Sequence, residues 1–111
     1  MAESNIEQSF HFMKVNADKY AKAKAQRVYL EQFRKSKKAI LIREAESKGF
    51  KTGQERESYA YSHKDYLELL EGLRAAVETE ESLRWKLTAC REKIDHHKQQ
   101  NMMAMAEMKM R

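Results

Sequence analysis

The sequence predicts an all-α fold, a long antiparallel helical hairpin of coiled-coil type that dimerises into a four-helix bundle. Three observations carry this reading. The 111 residues contain no proline and only three glycines, Gly49, Gly53 and Gly72, so the corners that a sandwich, barrel or doubly wound sheet needs are missing. Apolar residues recur at steps of three and four on both sides of a single turn signal. Of the 41% apolar residues, 13 are alanine and 7 methionine, which leaves few large anchors for a lone chain and points to self-association.

The first helix is read over residues 4–48. Ile6, Phe10, Met13, Ala17, Tyr20 and Lys24 mark one stripe, and after a register shift near residues 24–30 the stripe continues through Leu30, Phe33, Lys37 and Ile40. Its end is a Schellman signal, with Lys48 in the last turn, Gly49 placed for a left-handed residue and Phe50 folding back toward Ala45. The turn occupies 49–53.

The second helix is read over 53–98. Thr52 and Glu55 have capping-box spacing. Tyr59, Tyr66, Leu70, Leu73, Val77, Leu83, Leu87, Cys90 and Ile94 then form one drifting face that only Glu80 interrupts. A turn this short makes the helices antiparallel neighbours along an arm of roughly 65–70 Å. Folding the sequence at residue 51 sets Gly72 opposite Leu30 or Phe33, where a missing Cβ permits close packing, and Ile94 beside Gln8. Residues 1–98 thus form the hairpin. Residues 99–111 overhang it as a segment holding five of the seven methionines; Met102, Met103, Met105 and Met110 are the candidate partner-binding residues, the alternative being a frayed terminus.

Charge is segregated. Residues 1–53 carry 12 Lys/Arg against 6 Asp/Glu, whereas 54–111 carry 10 against 11. Lys24, Arg27, Arg34, Lys35 and Lys38 lie near one flank of the first helix with Lys37 adjacent, interleaved with Tyr20, Tyr29 and Phe33. Such a strip can neutralise phosphates while aromatic rings stack on unpaired bases, so these six residues are the candidate nucleic-acid contacts, for single-stranded or non-specific DNA. The plain alternative is a solvated helix face.

Catalytic and metal chemistry find little footing. Cys90 lies about two turns from His97, and the adjacent His96 and His97 point about 100° apart, so no metal site or cofactor is expected within one chain. Gly49 and Gly53 precede Gln54 and Glu55 where a phosphate loop needs Lys and Ser/Thr. Glu80–Glu81 and Glu55/Glu57 read as solvating acids, and no enzyme activity is expected. No apolar run suits a membrane span, the start lacks a signal-peptide pattern, and a lone cysteine fits a reducing, cytoplasmic setting.

The stretch YLEQFRKSKKAILIREAESKG followed by KTGQERESYAYSHKDYLELLEGLRAAVETEESLRWKL resembles a group of small helical proteins encoded by temperate bacteriophages. Genes of that group often lie beside those for single-strand annealing recombinases, single-strand binding proteins and exonucleases. The likeness spans about residues 17–94 and is most specific at Thr52, Glu55, Arg56, Glu57, Ala60 and Tyr61; members frequently end in more charged residues, a pattern from which the methionine segment departs. The resemblance implies an accessory factor for DNA recombination or replication in the host cytoplasm, acting as a DNA-binding helper or on a protein partner such as a phage recombination protein or a host nuclease. A protein-binding module, inhibitor or adaptor, with no nucleic-acid contact is the alternative.

Overall fold

The computed structural model describes the backbone of residues 2–110 and the side chains of residues 5–110. Helix α1 spans Ala2–Ser47, α2 spans Gly53–Ser62 and α3 spans Lys64–Met110, with no strand among the described residues. None of these helices is long and apolar enough to cross a membrane.

The turn after α1 forms as its residues dictate. Gly49 adopts φ +94°, which a side chain would resist, and the Schellman bonds close over it: Phe50 N–H donates to Ala45 O and Gly49 N–H to Glu46 O, each at 3.1 Å. Thr52 then caps α2, its Oγ1 accepting from Glu55 N–H at 3.1 Å. The Glu55 carboxylate accepts from Lys51 N–H at 3.3 Å, one residue earlier than a standard capping box.

The second helix differs from the single element expected over 53–98. It is broken at His63, whose backbone is extended at φ −66°, ψ 138°. Its N–H still bonds Ala60 O, while its Nδ1 accepts from Asp65 N–H at 3.0 Å and its carbonyl from Leu67 N–H. One residue therefore ends α2 and caps α3. Neither glycine nor proline announces the break, so the apolar spacing runs through it. At the other end, helix continues past residue 98 to Met110, and every residue from 101 to 110 is exposed.

The chain divides into two compact units, residues 1–21 with 81–111 and residues 22–80. In the 22–80 unit, α1 pairs antiparallel with α2 and the start of α3. Leu41, Ala60 and Tyr66 form its buried cluster, with Ile42 and Leu70 packed against it. Ala45 and Leu73 are also buried. In the other unit Ile94 and Ser9 are buried, and Ser9 Oγ satisfies itself on Asn5 O at 2.9 Å.

A repeat of threes and fours runs along α1 through the shielded positions Ile6, Ser9, Met13, Asn16, Tyr20, Ala23, Arg27, Leu30, Arg34, Lys37 and Leu41, with Phe12, Glu31, Lys38, Ile42, Glu44 and Ala45 shielded beside it. Along α3 a like repeat runs through Tyr66, Leu69, Leu73, Ala76, Glu80, Leu83, Leu87, Cys90, Ile94 and His97, with Leu70, Glu81 and Thr88 shielded beside it. This alternation of three and four is the coiled-coil period. The expected register shift near residues 24–30 is therefore corrected: Phe10, Ala17, Lys24, Phe33 and Ile40 are exposed. The repeat passes through Arg27, which Glu80 and Glu31 neutralise on the seam, and so bridges the stretch where apolar spacing alone breaks. Gly72 is corrected too. It lies exposed beside the seam, and a Cβ built there meets nothing within 4 Å, so no close helix approach requires it.

Candidate functional site

The six cations of the basic strip fall into two groups. Arg27, on the seam, forms a two-pronged ion pair with Glu80, whose second contact measures 3.1 Å, and bonds Glu31 at 3.0 Å. These hydrogen bonds, Glu80 first and Glu31 second, hold the guanidinium above its usual pKa range. Lys37 reaches Asp65 Oδ2 at 3.3 Å. Lys38 lies 4.6 Å above the Tyr61 ring and 3.9 Å from Glu57. Its pKa is raised, chiefly by the hydrogen bond with Tyr61. These three side chains tie helices together.

Lys24, Arg34 and Lys35 form the other group. Lys24 and Lys35 are exposed and Arg34 is half-buried, and none has an ion-pair partner among the described residues. Of the strip read from the sequence, these three retain cationic groups open to an added anion.

Aromatic residues near the strip also divide. Tyr29 and Phe33 stack on each other with centroids 6.1 Å apart, yet remain 61% and 40% exposed. Ile40, 53% exposed, continues their stripe along α1. Near the turn Phe50, Tyr59 and His63 form a chain of ring contacts at 5.5 and 5.6 Å, and Tyr61 packs edge-on against Tyr66 at 5.4 Å. These latter rings consolidate the turn.

The methionines of the C-terminal segment lie on the last turns of α3. Met102, Met103, Met105 and Met110 are all exposed, as is Met108. Their helical placement brings apolar side chains to several sides of α3.

The histidine and cysteine positions do not converge. No group of three His, Cys, Asp or Glu side chains suited to a metal ion occurs among the described residues. His96 and His97 share a shallow groove with Asn5, Ile6, Lys93 and Gln100; His11 lies elsewhere on α1, beside Glu7, Phe12 and Val15. The ammonium of Lys93 disfavours a cation in that groove.

Sequence reasoning passed over a second cleft in the unit containing residues 81–111. Met13, Tyr20 and Leu87 line it together with Arg84, Thr88 and Arg91. Arg84 pairs with Glu81 at 2.7 Å and lies 4.8 Å from the ring of Trp85, which is 61% exposed. The spacing of Arg84 and Arg91, two turns apart on one flank, is the signal that could have found it.

Comparison with known proteins adds no relative: no family model matches the chain, and neither a curated protein nor a solved structure matches it.

Proposed function

We propose that this chain is a non-enzymatic protein-interaction module, whose helices complete their core against those of another polypeptide in a four-helix arrangement. The observation that carries this reading is the exposed Tyr29–Phe33 stack with Ile40, in a unit whose buried apolar residues are Leu41, Ala45, Ala60, Tyr66 and Leu73. Large apolar side chains left on a helix flank beside so small a core favour association. The acids Glu80 and Glu81 are each engaged by an arginine, Arg27 and Arg84, which supports a structural rather than a catalytic role. The exposed methionines offer an adaptable second contact. The sequence resemblance supports placing the module with phage recombination or replication proteins in the host cytoplasm, with a recombination protein or a host nuclease as partner.

A photo-crosslinking residue at position 33, compared with one at the exposed position 32, tests the reading in cells. Position 33 should yield discrete protein adducts that position 32 does not. Equal, diffuse labelling from both positions would remove it.

Direct nucleic-acid binding is the second reading, favoured by the free cations of Lys24, Arg34 and Lys35 on the half of the chain that carries the positive charge.

A further inference from the structure

We infer that the uncovered flank of the 22–80 unit is a self-complementary surface whose partner is a second copy of this chain, related by a two-fold axis that lays each α1 against the other copy's α3. The inference rests on the interaction-module reading and gives that module its partner.

The flank follows from the seam. Gln26, Phe33 and Ile40 each precede a seam residue of α1, namely Arg27, Arg34 and Leu41. Asp65, Gly72 and Thr79 each precede a seam residue of α3, namely Tyr66, Leu73 and Glu80. In an antiparallel helix pair these two sets border the seam on the same side. The ion pair from Lys37 to Asp65 is consistent with that placement.

The two halves of the flank differ in both shape and charge. The α1 half presents Lys22, Gln26, Tyr29, Phe33, Ser36, Ile40 and Arg43, large side chains except for Ser36 and without an acid among them. The α3 half presents Asp65, Glu68, Gly72, Ala75 and Thr79, which combine two acids with three small residues and no base. All of these residues are exposed. Bulk with positive charge lies beside flatness with negative charge on one surface, which is what an isologous two-fold contact requires.

Gly72 supplies an independent argument. A glycine within an exposed stretch of helix lowers helix stability, and none of the described residues occupies the space above it. An aromatic knob from another copy would use that space. With α1 crossing the partner's α3 antiparallel, Phe33 meets the partner's Gly72–Ala75 stretch while Arg43 approaches the partner's Glu68. Among the described residues Glu68 pairs along its own helix, with Lys64 at 3.9 Å, and both groups are largely exposed.

Sedimentation equilibrium of the full chain at about 10 μM should give twice the chain mass. Arg43→Glu and Glu68→Arg should each weaken the dimer by about tenfold, and the two together should restore it to within about threefold of the original. Gly72→Leu should abolish the dimer while raising helix content and the melting temperature of the monomer, so loss of association could not be ascribed to misfolding. A monomer at about 100 μM overturns the inference, as does a dimer that Gly72→Leu leaves intact or that the charge exchange fails to restore. If the chain is monomeric while the crosslinker at position 33 captures a different protein, the second copy is ruled out and the module reading stands; a monomer without such capture removes both.

Discussion

Arg27 and Glu80 meet as a charged pair on the seam between α1 and α3, with Glu80 buried and Arg27 braced from its own helix by Glu31. A coiled-coil seam ordinarily holds apolar side chains, and an ion pair there contributes more to register than to stability. Removing Arg27 takes two hydrogen bonds from the buried Glu80 carboxylate, and removing Glu80 leaves Arg27 on the seam with Glu31. Arg27→Leu and Glu80→Leu should each lower the melting temperature by roughly 5–10 °C, whereas the double leucine variant should equal or exceed the parent. Thermal melts of the three variants followed by circular dichroism decide the point, and a double variant less stable than either single one contradicts it.

The glycines at 49 and 72 should respond in opposite directions to the same substitution. Gly49→Ala forces a side chain into φ +94° and should cost about 1–2 kcal/mol. Gly72→Ala meets open space on a helix and should gain up to about 1 kcal/mol in the monomer. Urea titrations at low protein concentration measure both.

Two caps flank α2. Thr52→Ala removes the acceptor for Glu55 N–H and should cost about 1 kcal/mol. His63→Ala should cost a similar amount, about 1 kcal/mol, by releasing Asp65 N–H, whereas His63→Asn supplies a substitute acceptor and should fall within a few tenths. Amide exchange at Asp65 reports the cap directly, and equal protection in the alanine and asparagine variants would count against His63 as the capping residue.

The Lys38–Tyr61 contact should make stability depend on alkaline pH. The hydrogen bond with Tyr61 raises the lysine above its usual value of 10.5, with the charge of Glu57 adding to the effect and desolvation opposing it. A raised folded-state pKa gives a stabilisation that is complete below 10.5 and is lost as pH climbs through the folded value. Urea midpoints measured on both sides of pH 10.5 should fall more steeply for the parent than for Lys38→Met. Parallel profiles would show that the contact adds nothing.

For nucleic acid, the informative variant is Lys24→Gln/Arg34→Gln/Lys35→Gln. Lys37 and Lys38 are excluded because their loss would disturb helix pairing. If the three free cations bind phosphates, affinity for a single-stranded oligonucleotide should drop at least about tenfold, and the salt slope should shrink by about two units. No binding by the parent chain at low salt ends that reading.

The helical class and the first turn were legible because they rest on local chemistry. The run 45–50 and the pair Thr52, Glu55 encode their backbone bonds within a few residues; the Schellman bonds and the Thr52 cap form as read, while the Glu55 carboxylate takes Lys51 N–H one residue early. Register was less legible. The sequence offers Arg27 as one cation of the basic strip and Glu80 as an interruption of the apolar face, and only their meeting across 53 residues makes them one pair. The His63 break escaped for a related reason, since a histidine ring nitrogen serving as a helix cap lacks the glycine, proline, serine or aspartate signature. At the basic strip, residue type was readable while occupancy was not. Lys38 and Lys35 look alike in sequence, yet one is spent on Tyr61 and Glu57 and the other has no ion-pair partner among the described residues.

The order of contacts along the 22–80 unit sets how the chain can assemble in time. The Lys37–Asp65 pair closes 28 residues and the Arg27–Glu80 pair closes 53. Loop-closure cost rises by only about 0.6 kcal/mol for each doubling of length in a free chain, but nucleating a helix is costly while extending one is fast. Chain collapse that begins at the Gly49 turn can therefore advance as a zipper, each pair shortening the remaining search for the next. The Arg27–Glu80 clasp closes the longer loop and so comes late on that route; an arm that has slipped by one turn forfeits the clasp and keeps only the Arg27–Glu31 pair within α1.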